Sequence, residues 1–337
     1  MGALSDAPAP VLVEVTRGGR TESRHRGSVA VVDGAGAVRL ELGAVDCPVP
    51  PRSAVKALQA LPLLASGAAD EAGMDDRAVA LACASHSGEP GHLARVAQVL
   101  ATIGRDVDDL ACGPAWPLGE PAARDLARSG GSPTPLHNTC SGKHAGFLAL
   151  ARALGADADG YTEPGHPVQV EVRAAIESAT GAALGEPLVD GCSAPTWPIP
   201  LRDLARAFAR FGTGEGLSAG FAAAAERLRA AVAAEPWFVA GSGRFCTEVM
   251  MVTGPRAFVK FGAEGVFTAA LPELGLGVAL KVEDGATRAC EVARATVLAR
   301  LLPDLDLARF THPPIRSRRG VVVGQTRPAP LWSDLPS

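Results

Sequence analysis

The sequence predicts an α/β chain of the α+β kind, with one sheet assembled from both ends and a mostly helical part inserted between them. Three observations carry that reading. Runs at residues 11–15, 28–32 and 38–42 are short, apolar and bounded by turn residues, which is strand texture. Residues 51–237 return apolar side chains every three to four positions, the period of a helix with one buried face. From residue 238 the strand texture resumes, and no repeat or long linker divides the 337 residues. A single domain is expected over 11–303, its sheet part from 11–50 and 238–303, with an irregular tail at 304–337.

In order, Gly18-Gly19 and Asp33-Gly34-Ala35-Gly36 supply turns between or beside the first strands. Pro50-Pro51 then opens a helix at 52–64, where Val55, Leu58, Leu61 and Leu64 make one stripe. Residues 77–84 are a small-residue apolar run, readable as helix or buried strand, that stops at the loop Ser85-His86-Ser87-Gly88. Helices are predicted at 92–103, 143–154, 167–179, 201–211 and 218–233; Leu201, Leu204, Ala205 and Phe208 show the period well. Strands follow at 238–240, 248–253, 257–261, 265–270 and 275–282, then a closing helix at 284–302.

Composition excludes several classes. A net charge of −4 and a pI near 6.0 argue against a general nucleic-acid binder, and the arginine clusters at 17–26 and 316–319 read as solvated faces. No apolar run approaches the roughly 18 residues of a membrane helix, and residues 1–10 carry no targeting signal. Seven scattered cysteines without a Cys-x-x-Cys predict reduced thiols in a cytoplasm.

Lysine usage points to chemistry. Of 32 basic residues only Lys56, Lys143, Lys260 and Lys281 are lysines, so arginine serves wherever a permanent charge suffices. The remaining lysines are candidates for places that need an amine able to lose its proton. Ser53 and Lys56 stand one helical turn apart, and a neutral lysine there could take the serine proton for attack on an acyl carbon. Its pKa must fall from about 10.4 to near 7, roughly 4.6 kcal/mol, which burial and a second cation can supply. Ser-x-x-Lys also arises often by chance, so spacing alone leaves a structural role open. Ser85 in its polar loop and Lys260 in Lys260-Phe261-Gly262, after a strand-like run, would complete such a cleft.

The stretch 138–146, Asn-Thr-Cys-Ser-Gly-Lys-His-Ala-Gly, gathers a thiol, a hydroxyl, an amine and an imidazole around the chain's single asparagine. With Cys192, Cys140 offers two soft donors for zinc, and Lys143 or His144 a third; two buried packing thiols are the plainer alternative. Cys47, Cys83, Cys112, Cys246 and Cys290 read as packing thiols. Gly142-Lys143 is not a phosphate loop, because His137 stands where a glycine is required.

Taken together, these motifs resemble the bacterial asparaginase family of the Rhizobium etli inducible type, also called asparaginase II-like. The resemblance runs in order through 11–19, Pro51-Arg-Ser-Ala-Val-Lys-Ala-Leu-Gln, Ala84-Ser-His-Ser-Gly-Glu and 138–146. It continues through His166-Pro-Val-Gln, Asp190-Gly-Cys-Ser-Ala-Pro, Lys260-Phe-Gly-Ala-Glu-Gly-Val and 275–282. It implies a serine β-lactamase/glutaminase-like fold, with a mainly antiparallel sheet flanked by helices, and hydrolysis of L-asparagine to aspartate and ammonia. By position it implies Ser53 as nucleophile, Lys56 as its base, and Ser85 with Lys260 as a second Ser–Lys pair. Cys140, Lys143 and Cys192 match the family's zinc ligands, and Arg52, His144 and Asp190 match positions at the substrate. A homodimer is the implied assembly. Other Ser–Lys amidases, a β-lactamase-like hydrolase, or a silent zinc or amino-acid binder remain as alternatives. Thr139 before Cys140 and Phe261 after Lys260 depart from the family pattern and bear on substrate fit.

Overall fold

The computed structural model describes residues 9–335, so the N-terminal stretch read for a targeting signal lies almost wholly outside the described residues. The main sheet is built from strands β1 (Val11–Arg17), β2 (Arg20–Asp33), β3 (Val38–Leu42), β4 (Phe258–Phe261), β5 (Val266–Leu271), β6 (Leu276–Val282), β7 (Pro314–Arg316) and β8 (Val322–Pro328). Their order is β7-β8-β1-β2-β6-β5-β4, with β3 also on β2, and every pairing is antiparallel. This is the mixed α/β architecture expected from the sequence, a sheet made from both ends of the chain.

Strand β2 joins the two halves. Its first part pairs with β1 through a hairpin turned by Gly18 and Gly19, both at positive φ, and its second part pairs with β6. The residues of the second part, Val29 to Val32, are buried; helix Leu201–Thr213 packs against this part of β2, and helix Thr287–Leu301 packs against β1, β5, β6 and β8. A methyl group on Gly277 of β6 would land on the backbone of Ala205 and Ala209, so that glycine sets how closely helix 201–213 lies on the sheet.

The rest of the helical part packs on helix 201–213 and meets β4 and β5 through residues 52–55. Helix Ser141–Ala153 runs through its middle, buried from Ser141 to Ala151, with the helices Asp76–Ala82 and Pro90–Thr102 against it. Asp75 caps helix Asp76–Ala82, accepting from Ala78 N–H at 3.1 Å. Residues 77–84, ambiguous in sequence, are therefore helical.

Four expectations change. The predicted helix at 52–64 is three short pieces, a 3₁₀ turn Arg52–Val55, then Lys56–Gln59 and Leu61–Ala65, and Pro62, which lacks an N–H, starts the last. The runs at 238–240 and 248–253 are not strands but the helices Trp237–Ala240 and Phe245–Thr253. Both are short apolar runs, for which periodicity cannot separate helix from strand. The tail from 304 is not irregular. Strand β8 pairs with β1 inside the sheet, and Trp332 is buried with its indole N–H on Leu12 O at 2.8 Å.

Gly277→Ala should cost about 1–3 kcal/mol by pushing helix 201–213 off the sheet. Urea unfolding of the variant against the parent protein measures this, and an unchanged midpoint would contradict the packing described.

Candidate active site

Three segments meet at the β4 edge of the sheet. The first is the turn Arg52–Val55 with Lys56 directly after it. The second is the loop at Ser85, and the third is the end of β4 at Lys260. Lys56 and Lys260 are both fully buried, and both amines reach one hydroxyl: Ser85 Oγ lies 3.0 Å from Lys56 Nζ and 2.8 Å from Lys260 Nζ. Two ammonium groups donating to one buried oxygen would repel strongly in a low dielectric. Desolvation, then the neighbouring Lys56, pushes Lys260 down to about 7. A neutral Lys260 can accept the Ser85 proton while Ser85 Oγ accepts from Lys56. Lys56 also donates to Ala84 O at 2.5 Å and to Cys140 Sγ at 3.1 Å.

Ser53 is half-buried on the preceding turn, and its carbonyl accepts the Lys56 N–H. Among the described residues its hydroxyl makes no hydrogen bond, so the Lys56 amine faces Ser85 rather than Ser53 in this state. Free catalytic sites often hold such bonds open until substrate binds. Arg52 has a φ of +52°, a left-handed conformation that costs a non-glycine residue about 1–3 kcal/mol. A Cβ at Gly262, just past β4, would lie 2.6 Å from Pro51 O and 2.9 Å from Ala54 N, so only glycine lets the strand end approach the Ser53 turn. Thr268 of β5 donates to Ala54 O at 2.9 Å and fixes the turn from below.

Asn138 explains its own singularity. Its side-chain oxygen accepts Cys140 N–H at 2.9 Å, and its amide donates to Cys112 O and Gly113 O at 2.8 and 3.0 Å. This sets Cys140 at the start of helix 141–153, from which Lys143 and His144 also project. Lys143 Nζ lies 3.1 Å from Cys192 Sγ. Cys192 belongs to the turn Asp190 to Ala194, closed by Asp190 N–H on Ala194 O at 2.9 Å with Ser193 at positive φ. Arg52 Nε donates to Asp190 Oδ1 at 2.7 Å; burial works against the ionised carboxyl, but Arg52 and then Lys143 hold it below the usual range. All ten sequence-predicted residues therefore lie in one chain of contacts or within a residue of it.

The two thiols share one charge. Cys192 is the first influence favouring a Cys140 thiolate, ahead of Lys56 and Lys143, and Cys192 itself is pushed up and stays a thiol. Burial disfavours a charged Lys143, but Cys192 and Cys140 outweigh it and hold its pKa up. Among the described residues no group of three or more His, Cys, Asp and Glu side chains is placed to hold a metal. Two soft sulfurs and one amine, all buried, do match the donor chemistry of zinc once the amine is neutral.

His144 has a different assignment. Tyr161, the only tyrosine, accepts Ala111 N–H at 2.8 Å and lies 2.7 Å from His144 Nδ1. With the phenol donating to Nδ1, the proton of the neutral imidazole sits on Nε2, which is buried without a partner beside Cys192. Burial pulls His144 down to about 4, so it is neutral at pH 7, with Nε2–H as a hydrogen-bond donor. Sequence reasoning missed Tyr161, although its uniqueness was visible. It also missed His86, whose Nδ1 accepts Gly88 N–H while Nε2 donates to Ser141 Oγ at 2.9 Å. That bond locks the Ser85 loop to helix 141–153.

Lys281, the lysine without an assigned role, donates to the carbonyls of Glu264, Val282 and Glu283. Its three N–H bonds tie the turn after β4, where Glu264 has a φ of +57°, to the end of β6, and no planar guanidinium matches that tripod.

The chain matches the L-asparaginase II family over residues 13–328 and belongs to it, which makes it a member of an amidohydrolase family. No curated protein matches it. Among solved structures it is similar to a β-lactamase from Mycobacterium bovis, at 14% identity and a TM-score of 0.42, over 81% of this chain and 94% of that one. A structure of Mglu is similar at 14% identity and a TM-score of 0.38, over 82% of this chain and 67% of that one. No helix among the described residues is long and apolar enough to cross a membrane.

With Lys260 near 7 when folded and about 10.4 when unfolded, the native state binds fewer protons between those values, so its stability rises with pH there. Below pH 7 the penalty for burying the charge is full. Lys260→Met should therefore gain stability over the parent near pH 6, and the gain should shrink toward pH 10; urea midpoints across that range that show a constant gap would refute the assignment.

Proposed function

We propose that the protein is an L-asparagine amidohydrolase of the Rhizobium etli inducible type, working through Ser53. The observation that carries this is the Ser85 hydroxyl held between two buried lysines beside the Ser53 turn, in a chain of the L-asparaginase II family.

Ser53 Oγ attacks the side-chain amide carbon of L-asparagine once Lys56 has passed a proton through Ser85 to the neutral Lys260, and the freed Lys56 amine takes the Ser53 proton. Ser85 links Lys56 to Lys260, whose amine exchanges a proton near pH 7, where a general base works best. The backbone N–H of Ser53 at the turn start stabilises the oxyanion. The C–N bond breaks, ammonia leaves with the transferred proton, and water hydrolyses the aspartyl ester. Arg52 and Asp190 face the substrate's α-carboxylate and α-ammonium, and His144 Nε2–H supplies a further donor.

Cys140, Lys143 and Cys192 hold one zinc ion per subunit, which when bound supplies positive charge beside these groups. Lysine is kept at 143 because a neutral amine can donate a lone pair and a guanidinium cannot. All seven cysteines are free, which supports a reducing cytoplasmic setting, and the assembly is a homodimer.

Purified protein should release ammonia from L-asparagine, and Ser53→Ala should lower the rate by at least about 10³-fold. Equal rates would remove Ser53 as nucleophile, and activity only on glutamine or a β-lactam would remove asparagine as substrate. Lys143→Arg should lose zinc by elemental analysis while remaining folded. Stoichiometric metal in that variant would end the coordination reading.

A further inference from the structure

A cavity of roughly 310 Å³ lies on the outer side of the β4 end, walled by the Arg244 turn, residues 261–265 and helix Thr287–Leu301. Its wall includes none of Ser53, Lys56, Ser85 or Lys260. Two guanidinium groups line it. Arg294 is 3% exposed, sandwiched over Phe245 and Phe267 at 3.8 and 5.4 Å, and pairs through Nη2 with Glu291 at 3.1 Å; its Nε is buried without a partner. Arg244 stacks on Phe261 at 4.8 Å and makes no ion pair among the described residues, and its Nη1 is also buried without a partner. Buried charges in folded proteins are normally paired, because an unpaired one loses its hydration for nothing. Two half-satisfied guanidiniums around a void are instead a receptor for an anion, and their planar forks suit a carboxylate.

The rest of the wall narrows the ligand. Glu291 and Glu264 face the same space, which disfavours a phosphate dianion and offers acceptors to an ammonium group. Leu118, Phe245 and Phe261 make an apolar side. The volume sits at the small end of ligand pockets, which start near about 300 Å³.

We infer that this cavity binds a free L-amino acid with an apolar side chain, its carboxylate on Arg244 and Arg294 and its ammonium toward Glu291 and Glu264. The site is separate from the one proposed for asparagine and does not depend on that reading. It is one aromatic ring from the reactive centre, since Phe261 carries Arg244 at 4.8 Å and Lys260 Nζ at 4.6 Å.

The probe is L-leucine, which has no amide to hydrolyse, titrated calorimetrically into the full chain. One molecule should bind per chain, and 4-methylpentanoate, 3-methylbutylamine and inorganic phosphate should bind far more weakly or not at all. Arg244→Met should weaken L-leucine about 10–100-fold, the loss of a charged hydrogen bond. Thr287→Trp, an exposed position at the start of the closing helix, should do the same by filling the cavity with both guanidiniums intact. The inference is overturned if the parent protein takes up no L-leucine, if phosphate binds as well, or if the folded Thr287→Trp protein binds L-leucine as the parent does. Ammonia release from asparagine is read separately, so either proposal can fail alone.

Discussion

Two buried lysines sharing one serine hydroxyl is the constraint on which the rest of the site depends. Amines at 3.0 and 2.8 Å from Ser85 Oγ, with no carboxylate among their hydrogen-bond partners, cannot both hold protons comfortably. The fold meets this by giving Lys56 a carbonyl, a hydroxyl and a sulfur, and by leaving Lys260 with Ser85 and its neighbour's carbonyl. The sheet edge at β4, the Ser85 loop and the Ser53 turn must hold their spacing closely for this division to last. Gly262 lets the β4 end meet the Ser53 turn, Thr268 ties that turn to β5, and His86 ties the Ser85 loop to helix 141–153.

Much of this was legible because the chain is so poor in lysine and asparagine. Lys56, Lys143 and Lys260 stood out against an arginine background, and the fold gathers all three at one edge of the sheet. What one sequence could not show is which hydroxyl each amine meets. Ser53 and Lys56 at three-residue spacing implied a direct contact, whereas the 3₁₀ turn and the approach of β4 direct Lys56 to Ser85. The pairing with Lys260 joins residues far apart in sequence, and local periodicity holds no record of it.

The misread elements have a common physical cause. Residues 238–240 are buried throughout, and 248–253 keeps apolar residues even where it is exposed, at Met251 and Val252, so neither run carries a clear period; the sheet they were expected to extend was instead completed by β7 and β8 from the tail. The tail escaped notice because β8 lies between β1 and β7 with Thr326 as its one buried side chain and a glycine at 324. Methyl-free Gly324 lets its backbone press against Thr16. A strand that pairs through its backbone and buries little shows weakly in a hydrophobic pattern.

Lys281 sharpens the meaning of lysine scarcity. Its amine is not placed for proton transfer. It is a tetrahedral donor serving one carbonyl of the turn after β4 and two at the end of β6, and burial lowers its pKa without any catalytic partner nearby. Lysine is therefore retained in this chain for two properties that arginine lacks, a proton that can leave and donors that point in three directions. Lys56 and Lys260 draw on the first, since one hydroxyl cannot serve two fixed charges. Lys281 draws on the second, and by closing the 262–265 turn it holds Gly262 against Pro51 and Ala54. The lysine farthest from the chemistry thus fixes the distance between the strand that carries Lys260 and the turn that carries Ser53.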